Sequence, residues 1–135
     1  MIVNDGVQNS PAANGLITVG NAAPVAAAAS SITTNIGNSV PLTSSAIDAD
    51  QGDTLIYRWA VVGVPPGSSI NDTRLTTNNS AFSSTTSFIP DLAGIYVLRI
   101  QVFDGTILSA PVFVRVTVVN TQPRASAAIS SLTQT

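Results

Sequence analysis

The chain has 135 residues, 44% of them apolar and only 9% charged, with a net charge of −2, which leaves room for one domain with a substantial core. Seven Asp and five Arg carry all the charge, and Glu, Lys, His and Cys are absent, which excludes His-based triads, thiol nucleophiles, Cys/His zinc sites and disulfides. Five scattered Arg supply no basic face for nucleic acid, and no apolar run approaches the ~20 residues that would span a bilayer.

The first residues lack the basic region and long apolar stretch of a signal peptide. Ala, Ser, Thr, Asn and Val dominate the rest, a composition that favours strands and turns over helices. Residues 15–19 read as a strand, and 21–24 as a linker that Pro24 keeps extended. Residues 25–36 give a first strand, kinked at Ser30 and Ser31. The second covers 39–43, with Val40 and Leu42 inward and Pro41 on an unpaired side, because proline has no N–H for a ladder. An acidic turn over 46–53 follows.

Residues 54–62 hold the only Trp and alternate with period two. Leu55, Tyr57, Trp59 and Val61 share one phase; Ile56, Arg58, Ala60 and Val62 share the other. This third strand is the expected core anchor. A turn at 63–69 leads into an irregular stretch rich in Thr, Asn and Ser, with short strands expected near 73–77 and 85–89. After a turn at 90–94, Tyr96, Leu98, Ile100 and Val102 form the inner phase of the next strand. Asp104-Gly105 is a hairpin signal, and Val112, Val114, Val116 and Val118 form the inner phase of the last strand.

The two ends of the chain resemble each other. Residues 1–36 align without gaps on 100–135, pairing Asp5-Gly6 with Asp104-Gly105, Thr18-Val19 with Thr117-Val118, Asn21 with Asn120 and Pro24 with Pro123. A fixed offset of this kind is the mark of a repeat protein. It divides the chain into the tail of a preceding repeat (1–20), a complete repeat (21–120) and the start of a following one (121–135).

About seven short strands, turn signals every 8–12 residues and a Trp on the third strand point to an all-β, immunoglobulin-like antiparallel β-sandwich, flanked by strands of neighbouring repeats. Tyr96 stands at the tyrosine-corner position. The ordered motifs are Asn21-x-x-Pro24, Val40-x-Leu42, Asp48-x-Asp50 with Gly52-Asp53, Leu55-x-Tyr57-x-Trp59, Pro66-Gly67, Phe88-x-Pro90-Asp91-x-Ala93-Gly94-x-Tyr96 and Val102-x-Asp104-Gly105. Together they resemble the bacterial polycystic-kidney-disease-like (PKD-like) repeat. The resemblance implies an extracellular or cell-surface protein, in which such modules serve as spacers, adhesive units or accessory domains of secreted enzymes, some of them binding calcium.

Asp48, Asp50 and Asp53 are the candidate calcium ligands, since a hard cation takes oxygen donors and Gly52 permits a tight turn. Gln51 lengthens the D-x-D-G-D spacing of the resembled pattern and displaces Asp53. The alternative is a solvated turn whose carboxylates bond local backbone N–H groups. Arg58, Arg99 and Arg115 fall on the outward phase of three strands expected to be neighbours, beside an apolar outer stripe that includes Phe113. That face, together with Leu16, Ile17 and Val19 of the leading strand, is the candidate assembly surface; the alternative is a solvated sheet face. Trp59, Tyr57 and Tyr96 are expected in the core, which leaves carbohydrate recognition little support.

The expected function is therefore that of a non-catalytic structural module of a tandem array or fibre. Its partners would be neighbouring repeats or identical subunits, with β-strand addition through the terminal strands as one route. A ligand-binding or adhesive module is the alternative.

Overall fold

The structure, a computed structural model, describes residue 6 and residues 14–121. Strands β1 (Val25–Ala28), β2 (Ser31–Asn35), β3 (Val40–Ile47), β4 (Ile56–Gly63), β5 (Thr85–Phe88), β6 (Gly94–Phe103) and β7 (Val112–Val119) form two sheets. One has the order β1-β3-β5, the other β2-β7-β6-β4. The chain is all-β, a two-layer sandwich without an α-helix among the described residues.

Alternation builds the core. The inner phase of β6 (Tyr96, Leu98, Ile100, Val102) is fully buried, as are Val114, Val116 and Val118 of β7 or nearly so. Val40 and Leu42 of β3 and Phe88 of β5 face them. Each buried side chain of this size contributes about 1.5–3 kcal/mol. Trp59 lies in the same cluster, and its indole Nε1 donates to Ser83 O at 2.9 Å, so its one polar group is met inside. The Tyr96 hydroxyl donates to Asp91 Oδ1 and to Leu92 O, each at 2.9 Å, and accepts from Leu92 N at 3.1 Å.

The kink at Ser30 and Ser31 is a change of sheet. β1 pairs antiparallel with β3, whereas β2 pairs in parallel with β7. Pro41 is placed as its chemistry requires. β1 reaches only Ser44 to Ile47 of β3, and β5 covers the rest. Because Ser44 N donates to Ser84 O, ladder bonding alternates so that Pro41 turns its nitrogen away from β5. Gly94 has φ +139°, and a Cβ there would lie 2.7 Å from Pro65 Cγ. The turn after β4 thus rests directly on the start of β6.

Several expectations fail. Residues 15–19 form no strand; Leu16, Ile17 and Val19 are 94%, 86% and 82% exposed. At an offset of 99 this segment aligns with 114–118, and β7 itself already fills that place between β6 and β2. Residues 73–77 are not a strand either. Asn71 caps a 3-10 helix at Asp72–Arg74 by accepting from Thr73 N, the local bonding by which Asn competes with extended structure. β3 runs on to Ile47, so Ala46 and Ile47 belong to the strand and not to the acidic turn. The strand expected at the start of 121–135 lies outside the described residues, save Thr121.

The two sheets have four edges, and two of them are closed by side chains and main-chain groups of the neighbouring loop. On β4, Tyr57 N donates to Ser80 O (3.0 Å), Trp59 N to Asn78 Oδ1 (2.8 Å) and Val61 N to Asp72 Oδ1 (2.6 Å). Asn78 Nδ2 also donates to Trp59 O at 2.8 Å. On β5, Ser87 N donates to Thr76 Oγ1 (3.0 Å), Thr76 N to Ser87 O (3.0 Å) and Thr77 Oγ1 to Thr85 O (2.6 Å). Groups that would otherwise template another chain are met locally.

Candidate functional site

The strongest cluster of chemistry lies at one pole, where β3 ends, β6 ends and the linker at 21–24 arrives. Asp48 follows directly on β3. Its Oδ1 accepts from Asp50 N at 2.9 Å, the local bond expected of Asp in a turn. Its Oδ2 is buried and has no hydrogen-bond partner. Asp104 follows directly on β6 and is buried. Asp104 Oδ1 accepts from Thr106 N and Ile107 N, both at 2.7 Å, and its Oδ2 accepts from Asn21 Nδ2 at 2.8 Å. The Ile107 N–H, aided by Asn21 and Thr106, holds the Asp104 carboxyl below the usual carboxylate range against the opposing effect of burial.

Asp53, exposed, completes the group. One carboxylate oxygen from each of Asp48, Asp53 and Asp104 lies within 4.8 Å of the others. Asp50, a predicted ligand, is not in this set. Its Oδ2 accepts from Ala22 N at 2.6 Å and fastens the linker instead. The place expected for Asp50 is taken by Asp104, which the sequence offered as a hairpin residue and not as a metal ligand. The usable signal was the Asp-Gly pair that stands at both 5–6 and 104–105, in register in the alignment of the two ends.

The cluster is suited to a hard cation. Its donors are all oxygen, it brings like charges together, and one buried oxygen is unmet. Asp48, Asp53 and Asp104 could hold calcium, with backbone carbonyls or water completing the shell of six to eight oxygens.

The arginines lie on one outer face, but on a diagonal and not in a row. Arg58 is opposite Gln101, Arg99 sits between Ala60 and Phe113, and Arg115 is opposite Val97 and Ser31. Staggering keeps like charges from facing one another directly. Arg58 stacks over Phe103, 4.3 Å from the ring centre. Arg99 Nε is buried with no partner. A cleft of about 280 Å³ opens here, lined by Arg58, Arg99, Gln101, Asp72 and Asn78. Phe113 is half-exposed on the same face. Leu16, Ile17 and Val19 touch neither the diagonal nor the acidic pole through any hydrogen bond.

No protein-family model matches the chain, and no curated protein is similar to it in sequence.

Proposed function

We propose that the chain is a non-catalytic structural module of an extracellular tandem-repeat or fibre-forming protein, an immunoglobulin-like unit of the PKD-like kind. The observation that carries this reading is the seating of the linker. Asn21 and Ala22 are bonded to Asp104 and Asp50, so the segment leading in from the preceding repeat is held at a defined pole of the sandwich. A spacer needs that property, because a floppy junction transmits neither length nor direction. The strand order β2-β7-β6-β4, Trp59 on β4 and the Tyr96 hydroxyl bonded back to Leu92 support the immunoglobulin-like assignment.

Calcium at Asp48, Asp53 and Asp104 would neutralise three converging carboxylates, one of which already anchors Asn21, and so stiffen the junction. The test is thermal unfolding of the whole chain in millimolar calcium and in EDTA. A ligand present at 100 times its Kd stabilises by about 2.7 kcal/mol, so the expected result is a clear rise in Tm with calcium. Asp48→Asn should abolish the rise. An unchanged Tm in the wild type removes calcium from the reading, and any hydrolytic or transfer activity of the purified chain overturns its non-catalytic part.

A second reading, a ligand-binding module, has one feature in its favour. The cleft is lined by two guanidinium side chains, Arg58 and Arg99, a donor set suited to a carboxylate.

A further inference from the structure

The open edges of the sandwich carry an inference about assembly. With β4 and β5 closed by Asn78, Asp72, Ser80, Thr76 and Thr77, the free edges among the described residues are those of β1 and β2. β1 is four residues long and follows Pro24, so it offers a short template. β2 offers more. Arg115 N donates to Ser30 O and Ile36 N donates to Val119 O, both at 3.0 Å, so the even-numbered residues of β2 face β7. Peptide groups alternate along a strand, which turns the N–H and C=O of Ser31 and Thr33 away from the sheet. The Asn35 N–H points the same way, while its C=O accepts from Asn38 N. On the inner side of this edge Ile32 and Thr34 are only half-buried.

The same chain carries an unpartnered strand sequence. Residues 15–19 have no ladder, and Leu16, Ile17 and Val19 are almost fully exposed. Their Ile-Thr-Val core repeats the Val-Thr-Val of 116–118 in β7, the strand that β2 already accepts on its other side. The alternation of 15–19 puts Gly15, Ile17 and Val19 on one face, where they would cover Ile32 and Thr34, and Leu16 and Thr18 on the other, beside Thr33.

We propose that residues 15–19 of one copy add as a strand to the outer edge of β2 in a second copy. Donor and acceptor are different surfaces, so the contact is heterologous and can propagate from chain to chain. This rests on the fibre-forming form of the structural-module reading above, in which the chain itself is the subunit, and names its partner.

The test uses the full chain, which has no cysteine of its own. Light scattering over a wide concentration range should show mass rising from the monomer towards dimers and larger species. Ile17→Asp should return the chain to monomer; because residue 17 is exposed and unpaired, this change leaves the domain folded. In parallel, Thr33→Cys chains mixed with Leu16→Cys or Thr18→Cys chains and treated with a short bismaleimide should cross-link at least tenfold faster than with Asn79→Cys chains, whose cysteine lies by the closed β4 edge. A wild-type chain that stays monomeric throughout, with cross-linking no faster than the Asn79→Cys control, overturns the proposal. That result beside an intact calcium response removes the edge pairing alone. Growth in mass without a calcium response removes the calcium-stiffened junction alone.

Discussion

The excursion between β4 and β6 and the segment from residue 14 to the acidic turn both carry many Ser, Thr and Asn and have opposite habits. In the excursion, polar groups are met at home. Asn78 serves both the N–H and the C=O of Trp59, Asp72 takes the Val61 N–H, and Thr76 and Thr77 complete the edge of β5. Asp91 accepts from Ser68 Oγ, Ser69 N, Ser69 Oγ and Tyr96 OH. In the leading segment, residues 15–19 have no ladder, β1 and β2 have open edges, and Asp48 Oδ2 is buried and unmet. A module that closes one side with its own side chains and leaves the other unfinished is directional, and partners are to be sought on the unfinished side.

The largest effect should follow from breaking the closed side at Asn78. Asn78→Ala leaves the N–H and C=O of Trp59 without partners on a strand edge, and an unmet buried backbone group costs about 1–3 kcal/mol. The expected loss is about 2–3 kcal/mol in urea unfolding, seen as a lower midpoint at an unchanged slope. Asn78→Asp, which keeps the acceptor and loses the donor, should cost roughly half as much on the same grounds. Asn78→Ala should also associate through the newly opened β4 edge, in a manner that Ile17→Asp only partly suppresses.

A smaller effect separates the two sets of carboxylates by pH. The Ser68 hydroxyl, then the Ser69 N–H, hold the Asp91 carboxyl far below the usual carboxylate range. Its folded pKa is thus lower than the unfolded value of about 3.9. The stability it adds is complete above that unfolded value and is lost as pH falls from there through the folded pKa. Asp91→Asn should therefore lower Tm at neutral pH and flatten the fall of Tm on acidification below about pH 4. Asp104 is shifted in the same direction by Ile107 N–H, so some acid sensitivity should remain in the variant. A variant that loses Tm with acid as steeply as the wild type would show that Asp91 is not the carboxylate that stabilises the excursion.

What could be read from the chain beforehand follows the same division. The inner phases of β4, β6 and β7 were legible because a period of two is imposed by the backbone on every residue of a strand. Pro41 and the break at Ser30-Ser31 were legible because each is a local backbone restriction. The capping roles of Asn78, Asp72 and Thr77 were not, since a side chain that imitates a ladder partner carries no period and needs the fold to bring it to the edge. For the same reason 73–77, rich in Thr, resembled a strand; its hydroxyls do part of a strand's bonding against β5 while Asp72–Arg74 turns as a 3-10 helix. At the acidic pole, nearness in sequence chose Asp50, and nearness in space chose Asp104, 51 to 56 residues away from Asp53 and Asp48. Asp-Gly carried two meanings at once, a tight turn and a ligand, and only the turn is visible locally.

The smallest expected effect on stability tests the open side. Thr33 is exposed, and its N–H and C=O point away from β7, so its peptide takes part in no bond that holds the domain together. Thr33→Lys removes no ladder bond and buries no charge, and a change at such a surface position is expected to stay within about 0.5 kcal/mol. A lysine at a strand edge nevertheless opposes the approach of another strand, the device by which natural edges are kept single. The variant should unfold at the wild-type urea midpoint while its mass in solution falls to that of the monomer. This split, no change in stability with loss of association, is the mirror image of Asn78→Ala, which loses stability and gains association. If Thr33→Lys instead weakens the fold by as much as Asn78→Ala, then β2 is closed by contacts of its own and the two sides of the sandwich are alike.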